Sequence, residues 1–228
     1  MTSSNDHDHD HDHDHDHDEA HSGIQEDARL GYYGTRYRAI EALLIEKGIC
    51  TLADVNEAVS RQEARTPKDG AKMIAHAWLN PEFKEHFISD PLGAMGELGY
   101  QLPANVVDTP KITVLENNEH VHHLVVCTLC SCYPGTLLGT PPDWYKSLTY
   151  RSRAVKDPRG VMREFGLDLA ENVEIRVQDS TADMRYIVMP KRPTGTEGME
   201  EEELAKLITR DSMIGVSEAL EPNSYSGT

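Results

Sequence analysis

Three cysteines fall within six positions in the segment Val126-Cys127-Thr128-Leu129-Cys130-Ser131-Cys132. Thiolates this close on one loop can all reach a single metal ion. The one-residue gap between Cys130 and Cys132 also aims the amide nitrogens of Ser131 and Cys132 at that ion. Two sulfurs and two nitrogens then make a planar claw with Cys127 as an axial sulfur, and a sixth position stays open for water or substrate. Structural zinc competes with this reading. It takes four side-chain ligands in a tetrahedron, and His122 or His123 would have to supply the fourth. Ligand counting leaves both open, and leaves the two histidines equally readable as packed or surface imidazoles. Cys50 follows Gly48-Ile49 at a helix end and reads as a lone buried thiol.

The elements around the cysteines follow from pattern. Lys111 to Leu115 and His123 to Val126 read as short strands, the second running straight into Cys127. Glu174 to Val177 and Arg185 to Met189 are strand-like, with Asp179-Ser180-Thr181 as the turn between them. Upstream, Gly70 to Leu79 is a helix with Met73, Ile74, Ala77 and Trp78 on one side. Asn80-Pro81 interrupts it, and Glu82 to Ile88 continues behind a first-turn proline. Pro91 to Pro110 holds a helical turn or two around Met95 and Leu98. Glu200 to Leu207 is a helix with an acidic start, and Ile214-Gly215-Val216 reads as a final strand. No regular βαβ rhythm appears, so the class is α+β, with an N-terminal helical arm ahead of a mixed α/β layered domain.

The arm occupies residues 25–69. Tyr37, Ile40, Leu43 and Leu44 keep helical spacing up to Gly48, and Thr51 with Asp54 opens a second helix through Val55, Ala58 and Val59. Both helices are thinly apolar, which suits packing on another chain. Residues 70–217 form the domain carrying the cysteines, and residues 218–228 a flexible C-terminus. Residues 1–24 read as a disordered tail, in which Asp and His alternate from Asp6 to Asp18. Such a stretch can gather divalent metals loosely, although a solubilising role is the favoured reading.

Composition narrows the function. Of 228 residues, 38% are hydrophobic and 27% charged, as in a soluble protein. No run approaches the ~20 apolar residues of a membrane span, and the sequence opens without a secretory signal, so a cytoplasmic location is expected. Acidic residues outnumber Lys and Arg by 39 to 22, and a net charge of −17 argues against a nucleic-acid partner. Four cysteines make no disulfide framework. No Ser-His-Asp arrangement, Walker loop or dinucleotide fingerprint is present.

CTLCSC followed by Tyr133-Pro134 resembles the metal motif of nitrile hydratase α subunits. So do Pro141-Pro142-Asp143-Trp144-Tyr145-Lys146, Tyr150-Arg151-Ser152-Arg153, Glu164-Phe165-Gly166 and Thr209-Arg210-Asp211-Ser212-Met213-Ile214-Gly215-Val216. The resemblance spans roughly Leu43 to Val216, and the catalytic chain of thiocyanate hydrolase shares the motif. It implies the claw, with Cys127, Cys130 and Cys132 as thiolate ligands and the amides of Ser131 and Cys132 completing five donors. It also implies that Cys130 is oxidised to sulfinic acid and Cys132 to sulfenic acid. Thr128 matches the cobalt-type signature, pointing to Co(III) with Fe(III) as the alternative. The family places the active site against a β-type partner in a hetero-oligomer, with the metal inserted by an activator protein. The implied reaction is hydration of a nitrile to its amide, with Cys130 and Cys132 as the catalytic residues. The alternatives are thiocyanate hydrolysis to carbonyl sulfide and ammonia, and a catalytically silent metal-binding homologue.

Two positions depart from the family pattern. Gly135 and Gln178 stand where nitrile hydratases tend to have Trp. With Thr128, Gly135 is expected to border the substrate pocket, and the missing ring points to a bulky or heterocyclic nitrile. Thiocyanate hydrolases tend to carry Arg there instead. Arg151, Asp179, Ser180 and Arg185 are candidates to support the ligands from behind, and Trp144 and Tyr145 read as core and interface aromatics.

Overall fold

The computed structural model describes residues 32–100, 110–130 and 132–222. The Asp/His stretch, the first seven residues of the arm, Ser131 and residues 223–228 lie outside them. The arm is two helices, α1 (Tyr32–Glu46) and α2 (Leu52–Glu63). Gly48, at φ +67°, turns the chain out of α1 as its position suggests. Thr51 and Asp54 then cap α2 reciprocally: Thr51 Oγ1 accepts the Asp54 amide at 3.1 Å and Asp54 Oδ2 accepts the Thr51 amide at 2.8 Å. The Thr51 amide and hydroxyl, both donating to Asp54 Oδ2, hold the Asp54 carboxyl below its usual range. α1 buries no residue, and Tyr33, Tyr37, Ile40 and Leu43 stand exposed along it.

The core begins at α3 (Pro67–Leu79), one turn earlier than the apolar pattern marks, because Thr66-Pro67 starts it. Met73, Ile74, Ala75 and Ala77 are buried along it. Asn80 ends α3 and starts α4 (Pro81–Ser89), its Oδ1 accepting the Phe83 amide at 3.1 Å. Asp90 does the same for α5 (Pro91–Glu97) through the Gly93 amide. An Asx acceptor followed by proline thus starts both helices, and Asp157-Pro158 later opens a third in the same way.

Four strands form two parallel pairs. β1 (Lys111–Glu116) lies beside the last strand, β4 (Met184–Met189), and β2 (Val121–Val126) beside β3 (Glu174–Asp179). The registers run Lys111 with Met184 and Val126 with Asp179. Parallel neighbours need a crossover, and between β2 and β3 it is helical: α6 (Gly135–Leu138), α7 (Asp143–Lys146), α8 (Leu148–Lys156) and α9 (Pro158–Glu164). The apolar pattern marks none of these four, since their buried positions are few and scattered. β3 runs through Asp179, and the turn after it spans Thr181 to Met184, closed by the Thr181 amide on the Met184 carbonyl at 3.0 Å. It makes no hairpin, because it passes the chain from one pair to the other.

Two helices complete the domain, α10 (Glu201–Leu207) and α11 (Arg210–Ile214). α11 replaces the strand expected at Ile214-Gly215-Val216. Thr209 and Ser212 cap it reciprocally at 3.0 and 3.1 Å, and Gly215 ends it in the left-handed region at φ +88°. That capping box outweighs a β-branched tripeptide interrupted by glycine. Beyond it, Ala219 is buried and the Leu220 amide donates to Leu207 at 2.8 Å, so the first residues of the C-terminal segment pack on α10.

Gly215 also lies where no side chain fits, since a Cβ there would stand 1.9 Å from the His123 carbonyl oxygen. Gly215→Ala combines that clash with positive φ and should cost about 2–4 kcal/mol. Thermal unfolding of the purified protein should show Tm lower by roughly 5–12 °C. An unchanged Tm would mean that the contact relaxes freely.

Candidate metal centre

β2 is buried from His122 to Val126 and delivers Cys127 into the core with no exposed surface. There the strand stops and the chain reverses toward α6. Cys130 is exposed and Cys132 half-buried. Their sulfurs converge: Cys127 Sγ is 3.2 Å from Cys130 Sγ, which is 2.8 Å from Cys132 Sγ, and all three lie within 4.8 Å of one another. Among the described residues this is the one group of side chains placed to share an ion.

Side chains from three elements hold the loop by its backbone. Arg151 on α8 donates from Nε to the Cys127 carbonyl at 2.9 Å and from Nη2 to the Thr128 carbonyl at 2.7 Å. Asp179, at the end of β3, accepts the Thr128 amide at 2.9 Å on one oxygen and the Thr128 hydroxyl on the other. The β2–β3 register sets Asp179 opposite Val126, and the Ser180 amide closes the same corner on the Val126 carbonyl at 2.7 Å. The Tyr145 hydroxyl donates to the Cys132 carbonyl at 2.8 Å, and that of Tyr150 to Val125 at 2.6 Å. Trp144 packs on Tyr150 and on Phe165 with ring centres 4.9 and 4.8 Å apart, which fixes the platform under the loop. Burial raises the pKa of both phenols, so they remain donors.

Arg151 therefore meets the cysteines, whereas Arg153 turns to Glu164 at 2.6 Å. Arg185 lies at the mouth of the site. Its Nη1 bonds the carbonyls of Ala182 and Met184 at 3.1 and 3.2 Å, and it lines an open cavity of about 310 Å3 with Cys130, Cys132, Tyr133, Gly135, Gly139 and Pro141. Gly135 thus borders open space beside the sulfurs. The Ser180 side chain is buried next to the hydroxyl of Tyr145. Ser131, whose amide the claw needs, lies outside the described residues. Nothing in the sequence marks Tyr145 and Tyr150 as supports of the loop, because no spacing links them to carbonyls 13 and 25 positions away.

The histidines do not complete a tetrahedron. His122 donates from Nε2 to the Gly215 carbonyl at 2.8 Å and accepts from Asn117 Nδ2 on Nδ1 at 3.1 Å. His123 donates from Nδ1 to Asn117 Oδ1 at 3.1 Å. Desolvation lowers the pKa of both, so they stay neutral and structural. Cys50 is half-buried between α1 and α2 rather than enclosed.

Three sulfurs, with no imidazole or carboxylate among the described residues, fit a metal that takes amide nitrogens as its further donors better than they fit zinc. Hydrogen bonds from Cys132 and Cys127 hold the Cys130 thiol below its ordinary pKa. Burial and the bond to Cys130 push Cys132 up to about 12. A metal entering the site must therefore displace protons.

A family model described as nitrile hydratase, alpha chain, matches residues 32–217. The alpha subunit of the high-molecular weight cobalt-containing nitrile hydratase of Rhodococcus rhodochrous is 51% identical over 192 residues, covering 83% of this chain and 93% of that one. The gamma subunit of thiocyanate hydrolase from Thiobacillus thioparus is 43% identical over 186 residues, covering 78% and 76%. A solved double mutant of the Fe-type nitrile hydratase from Comamonas testosteroni Ni1 superposes with a TM-score of 0.75 at 42% identity, covering 83% of this chain and 91% of that one. A model matched across nearly all described residues, and a relative sharing half the aligned positions, establish that the chain belongs to the nitrile hydratase α-chain family.

Proposed function

We propose that the chain is the α subunit of a nitrile hydratase that turns a bulky nitrile into its amide at Co(III). The convergence of three sulfurs in a chain half identical to a cobalt-containing relative carries this reading. The ligands are Cys127, Cys130 and Cys132 with the amides of Ser131 and Cys132, and Thr128 favours cobalt over iron. Bound there, Co(III) supplies Lewis acidity toward the nitrile, so that water adds across the C≡N bond without an acyl-enzyme. Cys130 as sulfinic acid and Cys132 as sulfenic acid are part of the proposal. Cys132 lines the cavity, where its sulfenate oxygen would attack the nitrile carbon or activate the water that does so.

The supporting residues have separate tasks. Arg151 and Asp179 fix the loop at Cys127 and Thr128. Arg185 stands at the cavity mouth beside Cys130 and Cys132. A β-type partner completes the site in a hetero-oligomer, and an activator protein inserts the metal. Leu129, 87% exposed beside the cysteines, and the bare apolar side chains of α1 are surfaces for that partner. Thiocyanate hydrolysis is the second reading, favoured by the 43% identity to a thiocyanate hydrolase subunit. Gly135 speaks against it, because it offers no charge to an anion.

The mass of the peptide spanning Cys127 to Cys132, from protein made with its partner and cobalt, tests the centre. Two added oxygens on Cys130 and one on Cys132 are expected, together with amide formation from nitriles. Three unmodified thiols in fully metallated protein would leave a silent metal-binding homologue. Carbonyl sulfide from thiocyanate, with no amide from nitriles, would install the second reading.

Two further outcomes follow from the geometry. Arg151→Ala removes two charge-assisted bonds worth about 1.5–3 kcal/mol each. Cobalt per chain should fall several-fold while circular dichroism is retained, and Arg153→Ala should change neither. Equal cobalt in both variants would remove Arg151 from the support of the site. Gly135→Trp should cut kcat/KM for aromatic nitriles about tenfold or more relative to small aliphatic ones. The pocket assignment fails if the unmodified protein already turns over small aliphatic nitriles faster.

A further inference from the structure

The groove between α3 and α10 plays no part in the metal centre. It encloses about 690 Å3, more than twice the 310 Å3 beside the sulfurs, a size that suits a small organic molecule. Its apolar lining comes from Pro67 and Ala71 on α3 and from Ala205 and Ile208 on or just past α10. Ala71 and Ile208 are buried and form its floor. Lys68, Lys72, Lys206 and Arg210 stand around that floor, a local reversal of sign in a chain of net charge −17. Two carboxylates lie among them, Glu201 and Glu202, and His76 takes Glu201 at 2.7 Å. Asp211 meets Arg210 at 3.6 Å, but among the described residues Lys68, Lys72 and Lys206 make no hydrogen bond or ion pair. Lys84, Lys146 and Lys191, by contrast, each pair with a carboxylate.

Unpaired ammonium groups around an apolar floor match a molecule with the complementary pattern, an apolar body ending in a carboxylate. The lysine stems extend the apolar walls while their heads stay in water. Such a ligand gains by burying its chain and by supplying the counter-charge that the groove lacks. A small inorganic anion would leave the floor uncovered, and a neutral hydrocarbon would leave the cations unmatched. The groove also neighbours the metal cavity. Gly139, which lines that cavity, packs so closely on the Arg65 carbonyl that a Cβ would stand 2.1 Å from it, and Pro67 follows two residues later.

We propose that the groove between α3 and α10 binds an amphipathic monocarboxylate, apart from the metal centre, with its apolar body on Ala71 and Ile208 and its carboxylate at Lys68, Lys72 and Lys206. The inference goes beyond the proposed reaction and holds whichever substrate the centre takes.

The test is calorimetric titration of sodium octanoate into the cobalt-loaded chain assembled with its partner. The variant K68Q/K72Q/K206Q is titrated beside it, and because all three lysines are exposed it keeps its fold. Octanoate should bind once per chain, and about tenfold more weakly in the variant. Acetate, which lacks the apolar body, and 1-octanol, which lacks the charge, should each bind the unmodified protein about tenfold or more weakly than octanoate. No uptake, or equal affinity in the variant, would overturn the proposal, the latter by placing the carboxylate at the metal or elsewhere. Equal affinity for 1-octanol would overturn it by leaving a purely apolar groove. Binding that appears only once residues 1–24 are removed would do the same by giving the groove to the acidic stretch of the chain itself. Octanoate held in the groove of a protein that hydrates no nitrile would uphold this site and remove only the reaction.

Discussion

Three sulfurs must be held within 4.8 Å of one another before any metal compensates them. Two like charges 4 Å apart repel by about 4 kcal/mol at an effective dielectric near 20, so sulfurs that give up their protons to a metal would splay unless the loop were held. The chain prevents this by fixing backbone rather than sulfur. Arg151 takes two successive carbonyls at the start of the loop, Asp179 takes the amide and hydroxyl of the second of those residues, and Tyr145 takes the carbonyl at the far end. Each contact leaves the sulfur itself free to bind.

Much of the fold serves that clamp. β2 and β3 pair in parallel, and their register brings Asp179 beside a loop residue 51 positions earlier. The helices of the crossover then place Arg151, Tyr145 and Tyr150 beneath it. Gly215 admits the end of α11 against β2, where its carbonyl receives His122. The histidines nearest the cysteines in sequence are therefore spent on joining the strand to the C-terminal helix. An extended strand rises about 3.3 Å per residue, so His122 and His123, five and four residues before Cys127, are carried away from the sulfurs despite their nearness in sequence.

The local signals were legible where they were chemical. Gly48, the Thr51–Asp54 box and the Asn80-Pro81 step mark helix ends in the sequence because each acts within four residues. The run from His123 to Val126 announces a buried strand by its apolarity. The helices between Gly135 and Glu164 were less legible, since short helices packed on an aromatic cluster need no regular apolar period. Ile214-Gly215-Val216 misleads for a related reason. Its composition favours a strand, but the Thr209–Ser212 cap and the contact at Gly215 decide the outcome.

The sequence by itself determined the donor set. Cys127, Cys130 and Cys132 stand so close along the chain that any loop holding them can bring their sulfurs to one ion, and the Gly135 vacancy is likewise a matter of identity. Which residues support that set was decided by the tertiary structure alone. Arg151 and Arg153 are indistinguishable as letters, yet one clamps the loop and the other pairs with Glu164. His122 and His123 read equally as a fourth ligand or as packed imidazoles, and they are struts bound to Asn117 and Gly215. The reason is range. Chelation by neighbouring residues is a local property, whereas a hydrogen bond across 24 or 51 residues exists only once strand register and helix packing have fixed where both partners lie.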